Sequence, residues 1–142
     1  GDAFALFSRT DLPLAHDDHA AALILATVAG HDDAFGLTEL DFDGGRFLVP
    51  RRQLAVGTRV RLRIIARDVS LVLDRPQRTS ILNVIPAAVS EIADAGVSQV
   101  LVRLDADGAP MLARITRKSA SHLHLRPGLR VFAQVKSVAI LD

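Results

Sequence analysis

The feature that most constrains this chain is a period-two alternation of aliphatic and polar residues that recurs along its length. "RVRLRIIA" (59–66), "SQVLVRLD" (98–105), "PMLARIT" (110–116) and "RVFAQVK" (130–136) all follow it. An extended backbone sends successive side chains to opposite faces, so each run predicts a half-buried strand. Turn formers lie between the runs: Asp43-Gly44-Gly45, Asp105-Ala106-Asp107-Gly108 and Pro127-Gly128. These residues tolerate the backbone angles that tight reversals need. Many short strands at such spacing predict a barrel or a sandwich.

The order of signals also repeats. In the first half, "AALILATVAG" leads to "GLTELDFDGG" and then to "RFLVPRRQLAVGTRVRLRIIARDVSLVL". In the second, "NVIPAAVSEI" leads to "VSQVLVRLDADG" and then to "PMLARITRKSASHLHLRPGLRVFAQVKSVAIL". Each half reads as two strands, a glycine-containing hairpin, a strand, a polar segment, Gly57 or Gly128, a strand and a last short strand. "RKSASHLHL" predicts one or two helical turns, and "RRQLA" a shorter counterpart. The expected class is all-β with short helical turns, built as two tandem modules. The boundaries read as an N-terminal lead-in over 1–20, a first module over 21–73, a Pro-containing polar linker over 74–80 and a second module over 81–142. Units of this size bury little surface alone, so they are expected to pack on each other or on a second chain.

Composition closes off several classes. Seventeen basic residues face 16 acidic ones, for a net charge of +1, which argues against a general polyanion binder. Cysteine is absent, which excludes disulfide scaffolds and thiolate metal sites. No apolar run approaches the roughly 18 residues that span a bilayer; the longest is "AALILATVAG". A first residue of Gly1 rather than Met suggests a processed product or a piece of a longer protein. A soluble, cytoplasmic chain is expected.

Candidate chemistry is sparse. "HDDH" (16–19) offers metal-ligand residue types, with its two histidines three apart, but lies near the chain start and reads as a solvated run. His31-Asp32-Asp33 reads as a polar loop, and His122 and His124 as part of the helix-like stretch, one of them capping the core. There is no GxxxxGK[ST] phosphate loop, and spacing supports no Ser-His-Asp set, so an enzyme is not expected. Oligonucleotide binding on a small barrel leans on exposed stacking aromatics and a basic groove. Phe42, Phe47 and Phe132 instead fall within strand alternation and read as core, so no nucleic-acid partner is expected.

Two clusters remain, Thr116 with Lys118 and Ser119, and Lys136 with Ser137. They fit ordinary caps and solvated strand ends. They also supply what a tetrahedral oxyanion needs, which is directed O–H and N–H donors with a positive charge to offset desolvation.

The stretches "SILN" (80–83), "ARITRKSASHLHLRPG" (113–128) and "QVKSV" (134–138) resemble the Mop or TOBE domain family of small oxyanion-binding modules. With "GTRVRLRIIARDVSL" (57–71), the chain resembles the C-terminal regulatory region of a molybdate ABC importer's ATP-binding subunit. The resemblance implies OB-like β-barrels that pair with one another, and a molybdate or tungstate ligand at module interfaces. Carried over by motif, the oxyanion-binding residues are Ser80, Asn83, Thr116, Ser119, Lys136 and Ser137. It further implies a homodimer, an N-terminal ATPase domain that alone would take ATP, a membrane permease partner, and a place on the inner face of the cell membrane. The first motif in the family often reads Ser-x-Arg-Asn; here Leu82 stands at the arginine, removing a charge and a planar donor fork. Arg75, Arg78 and Lys118 are candidates to compensate. In the first half, Arg67-Asp68 stands roughly where Lys136-Ser137 stands in the second, and Asp68 would repel an oxyanion unless Arg67 neutralised it. The alternatives left by the residues are a dimerisation module without ligand and an OB-type nucleic-acid binder.

Overall fold

The structure, a computed structural model, describes residues 20–141; the "HDDH" run and most of the lead-in lie outside them. Ten strands follow in order: β1 Ala21–Asp32, β2 Leu37–Phe42, β3 Gly45–Pro50, β4 Arg59–Ile65, β5 Val69–Val72, β6 Asn83–Asp94, β7 Gln99–Ala106, β8 Ala109–Thr116, β9 Arg130–Val135 and β10 Ala139–Leu141. A 3-10 turn at Ala66–Asp68 joins β4 to β5, and one short helix, α1 (Arg117–His122), follows β8. The alternating runs behave as the pattern requires. Along β4, Arg59, Arg61 and Arg63 are exposed while Val60, Leu62 and Ile64 are buried.

The strands form two five-stranded antiparallel sheets, ordered β10-β4-β1-β2-β3 and β5-β9-β6-β7-β8. The last strand of each half thus sits in the other half's sheet. Val69–Val72 pairs with β9 (Val69↔Val135 to Val72↔Phe132), and Ala139–Leu141 pairs with β4 (Ala139↔Arg63 to Leu141↔Arg61). In the second sheet β5 also lies against β8, so the sheet curls until its two edges meet. That is the closure expected of a five-stranded OB-like barrel.

The repeat holds down to single bonds. β1 carries a bulge between Val28 and Gly30, and β6 carries one between Val89 and Glu91. At the first bulge Val28 N–H donates to the Thr58 carbonyl and Gly57 N–H donates to the Val28 carbonyl. At the second, Val89 N–H donates to Leu129 and Gly128 N–H donates to Val89. Gly57 and Gly128 have φ of 93° and 92°, a left-handed conformation that disfavours any side chain with a Cβ.

One continuous apolar core runs through both sheets, including Leu40, Phe47 and Leu62 from the first and Ile85, Val102 and Met111 from the second. The Phe42 and Phe47 rings stack at 4.5 Å, and Phe132 lies 4.8 Å under the Arg75 guanidinium. The two halves also touch through main chain. Gly44, at the β2–β3 hairpin, lies so close to Ala106 that a Cβ there would fall 2.6 Å from the Ala106 carbonyl oxygen.

Three local expectations are corrected. His31 and Asp32 end a strand rather than form a loop. His31 Nε2 lies 2.7 Å from the Leu54 carbonyl and Nδ1 lies 2.9 Å from Thr38 Oγ1. A carbonyl only accepts, so in the neutral ring Nε2 carries the proton and Nδ1 accepts from the Thr38 hydroxyl. Thr38, fully buried, in turn accepts from Arg52 N–H at 2.9 Å. This chain of bonds holds the 51–56 segment without the helical turn expected of "RRQLA". Nor does His122 or His124 cap the core; both are exposed, and Leu123 between them packs inward.

Asn83, buried to 8% exposure, joins the halves. Its Oδ1 accepts from Leu48 N–H at 2.7 Å and its Nδ2 donates back to the Leu48 carbonyl at 3.0 Å. The amide stands in for a neighbouring strand along the outer edge of β3. Asn83→Ala is therefore expected to lower stability by about 1–3 kcal/mol by stranding both Leu48 groups. Denaturant melts in ligand-free buffer check this, and an unchanged midpoint refutes it. Gly44→Ala should cost a similar ~1–3 kcal/mol, because backbone rather than a flexible side chain must give way.

Candidate functional site

Thr116 ends β8 and caps α1. Its Oγ1 accepts from Ser119 N–H at 3.0 Å, and its own proton is directed to Ser119 Oγ at 2.9 Å. The Ser119 proton is thereby left to donate outward. Of the two hydroxyls expected as ordinary caps, Thr116 is the N-cap. It also orders the second hydroxyl as a donor. The first half has Pro50 at the corresponding end of β3, which has no side-chain acceptor and forms no such cap.

These residues open on a cleft of 420 Å³ lined by Leu71, Thr116, Lys118, Ser119, His122 and Leu123. Its far wall, Leu71, comes from β5, the strand supplied by the first half. No carboxylate lines it. Arg117, next in sequence, turns away: it pairs with Asp94 at 3.0 Å and donates to the carbonyls of Gly96 and Val97. Lys118 makes no ion pair or hydrogen bond among the described residues, so its charge faces the cleft uncompensated. His122, one of the two histidines of which one was expected to cap the core, lines the cleft instead. Its three-residue spacing from Ser119, about one helical turn, is the signal that could have found it.

A second cleft, 300 Å³, is lined by Val49, Pro50, Arg52, Val138, Ala139 and Ile140. It is the repeat of the first, with Pro50 for Thr116 and the β10 strand for β5. Its lining has no hydroxyl at all.

The remaining sequence-predicted residues lie apart from the first cleft. Lys136 and Ser137 connect β9 to β10, where that connection meets the 3-10 turn of the first half. Lys136 N–H donates to the Asp68 carbonyl at 2.8 Å, and Ser137 Oγ donates to Asp68 Oδ2 at 2.8 Å. The Lys136 ammonium is exposed and unpaired among the described residues. Leu71, on the far wall of the cleft, is three residues beyond Asp68, roughly 10 Å along an extended strand. Ser80 is exposed at the end of the linker, and Asn83 is engaged with Leu48. Of the candidates to replace the missing guanidinium, Arg75 is stacked on Phe132. Leu82 itself is 63% exposed.

Among the described residues no cluster of three or more His, Cys, Asp or Glu could hold a metal ion. No helix there is long and apolar enough to cross a membrane.

Residues 79–141 match the TOBE domain model. The chain is 50% identical over 137 residues to "Molybdenum import ATP-binding protein ModC 1" of Azotobacter vinelandii, covering 96% of this chain and 38% of that protein. It is also 50% identical over 137 residues to "Molybdenum import ATP-binding protein ModC" of Pseudomonas aeruginosa, again covering 38% of that protein. The chain thus spans well under half the length of these relatives. Among solved structures, the cytoplasmic molybdate-binding protein ModG, with molybdate bound, superposes with a TM-score of 0.68 at 26% identity, over 83% of this chain and 93% of that one. Residues 79–141 are thus similar to a TOBE domain, and the chain is similar, over nearly all its length, to a segment of the molybdenum import ATP-binding proteins.

Proposed function

We propose that this chain is the regulatory, oxyanion-binding part of a molybdate importer's ATP-binding subunit, with molybdate or tungstate as its ligand. The observation that carries the reading is the cleft at Thr116, Lys118 and Ser119. It offers hydroxyl donors and an uncompensated ammonium with no carboxylate, and lies inside the TOBE-matched segment. The similarity to a molybdate-binding protein and to molybdenum import subunits supports the choice of oxyanion. In this reading residues 21–73 and 81–142 act as two modules about the 74–80 linker. Lys118 takes the place of the arginine that Leu82 displaces.

The donors of one chain fall into two groups, the cleft and the Lys136–Ser137 pair with Ser80 beyond it. A homodimer that brings one chain's pair to the other's cleft would assemble a full set of O–H donors around two ammonium groups. Asn83 retains one amide N–H beyond its bond to Leu48 for the same purpose. Occupancy of such a site favours one arrangement of two chains, and this differential affinity is what would bias attached ATPase domains. Hydrolysis of ATP and contact with a permease belong to other parts of the whole subunit, at the cytoplasmic face of the membrane.

Molybdate at a hundred times its dissociation constant should stabilise the folded chain by about 2.7 kcal/mol. In scanning calorimetry that is a rise in Tm on the order of 10 °C for a domain of this size. Lys118→Ala and Lys136→Ala should each weaken binding by roughly tenfold or more, the worth of a charge-assisted hydrogen bond, with little change in the ligand-free Tm. A Tm that ignores millimolar molybdate and tungstate, together with a stable dimer in light scattering, would instead assign the chain to dimer contacts alone.

A further inference from the structure

The meeting point of the two inter-strand connections holds an acid where an anion site would want none. Asp68 belongs to the first half and is half-buried, yet its carboxylate Oδ2 takes the Ser137 hydroxyl proton at 2.8 Å while its carbonyl takes Lys136 N–H at 2.8 Å. Ser137 has a single proton to give. An oxyanion that hydrogen-bonds this hydroxyl must take the proton from Asp68. No ion pair to Asp68 exists among the described residues, so its carboxylate stands uncompensated against Ser137, the residue next to Lys136, where an arriving anion would meet it. The first-half carboxylate and the second-half donors are held together by the strand exchange, since Val69 pairs with Val135 immediately beyond them.

We infer that Asp68 is a built-in competitor for the anion at Lys136–Ser137, an autoinhibitory carboxylate that raises the oxyanion concentration at which the site fills. The inference rests on the proposed oxyanion reading and adds to it a residue outside the TOBE-matched segment that sets affinity. The competitor acts in two ways. It withholds the hydroxyl proton until displaced, and it repels a dianion through space. A unit charge about 5 Å from a dianion in water-like surroundings weakens binding by about tenfold. Salt should erode the through-space part, because both groups are reached by solvent.

The test is calorimetric titration of sodium molybdate into the parent chain, Asp68→Asn and Asp68→Ala, each at 20 mM and 500 mM sodium chloride. Asp68→Asn keeps the side chain's volume and an oxygen acceptor for Ser137 while removing the charge. We expect it to bind about tenfold more tightly than the parent at low salt, with a smaller gain at high salt. Asp68→Ala, which frees Ser137 altogether, should bind at least as tightly as Asp68→Asn, and it carries the test if Asp68→Asn fails to fold. A merely structural Asp68 predicts the opposite, a lower ligand-free Tm with equal or weaker binding. If the parent binds molybdate and neither variant binds more tightly, the competitor is refuted and the oxyanion reading stands. If neither the parent nor either variant binds, both fall. Binding by the variants alone supports the competitor in its strongest form.

Discussion

Everything in this fold depends on two short ladders of main-chain hydrogen bonds, β5 to β9 and β10 to β4. Each half supplies four strands of its own sheet and borrows the fifth. Without the borrowed strand, β9 and β4 would each present an unpaired edge beside a buried face. Such an edge costs the desolvation of its N–H and C=O groups or invites pairing with another chain. The exchange satisfies both edges within one molecule. It also explains why the apolar core is continuous rather than two small cores in contact.

The same exchange builds the surface features. Leu71 closes the cleft of the second half only because β5 has crossed over, and Ile140 does the same for the first half. Asp68 meets Ser137 because the two connections approach each other to deliver their strands. The halves are repeats in backbone and unlike in chemistry. Thr116 caps a helix and orders Ser119, whereas Pro50 caps nothing, and the chemical asymmetry of the two clefts follows from that one position.

Much of this was legible in the sequence. Period-two alternation gave strands such as Arg59–Ile65 because burial on one face imposes it directly. Gly57 and Gly128 marked equivalent turns because only glycine is at ease at their φ. A hydroxyl cap in the Thr116–Ser119 stretch was legible, and the structure puts it at Thr116. What was not legible is which sheet a strand joins: "VSLV" reads the same whether it pairs with β4 or β9, since its partners differ only in tertiary placement. For the same reason the bonds from Asn83 to Leu48, 35 positions away, were not legible. His31 read as a loop residue because its two partners, Thr38 and Leu54, become neighbours only after folding.

The borrowed strand β10 also fixes an order of events. Its partner β4 ends at Ile65, while β10 runs from Ala139 to Leu141. At ~5–20 residues per second, a ribosome takes several seconds to cover the intervening stretch of roughly 75 residues. Through that interval the first sheet is one strand short and its apolar face is open. The alternating arginines of β4, at 59, 61 and 63, lie along the edge left waiting. Exposed charges of this kind keep an unpaired strand from recruiting a neighbour, so they guard the nascent chain until its own last strand arrives.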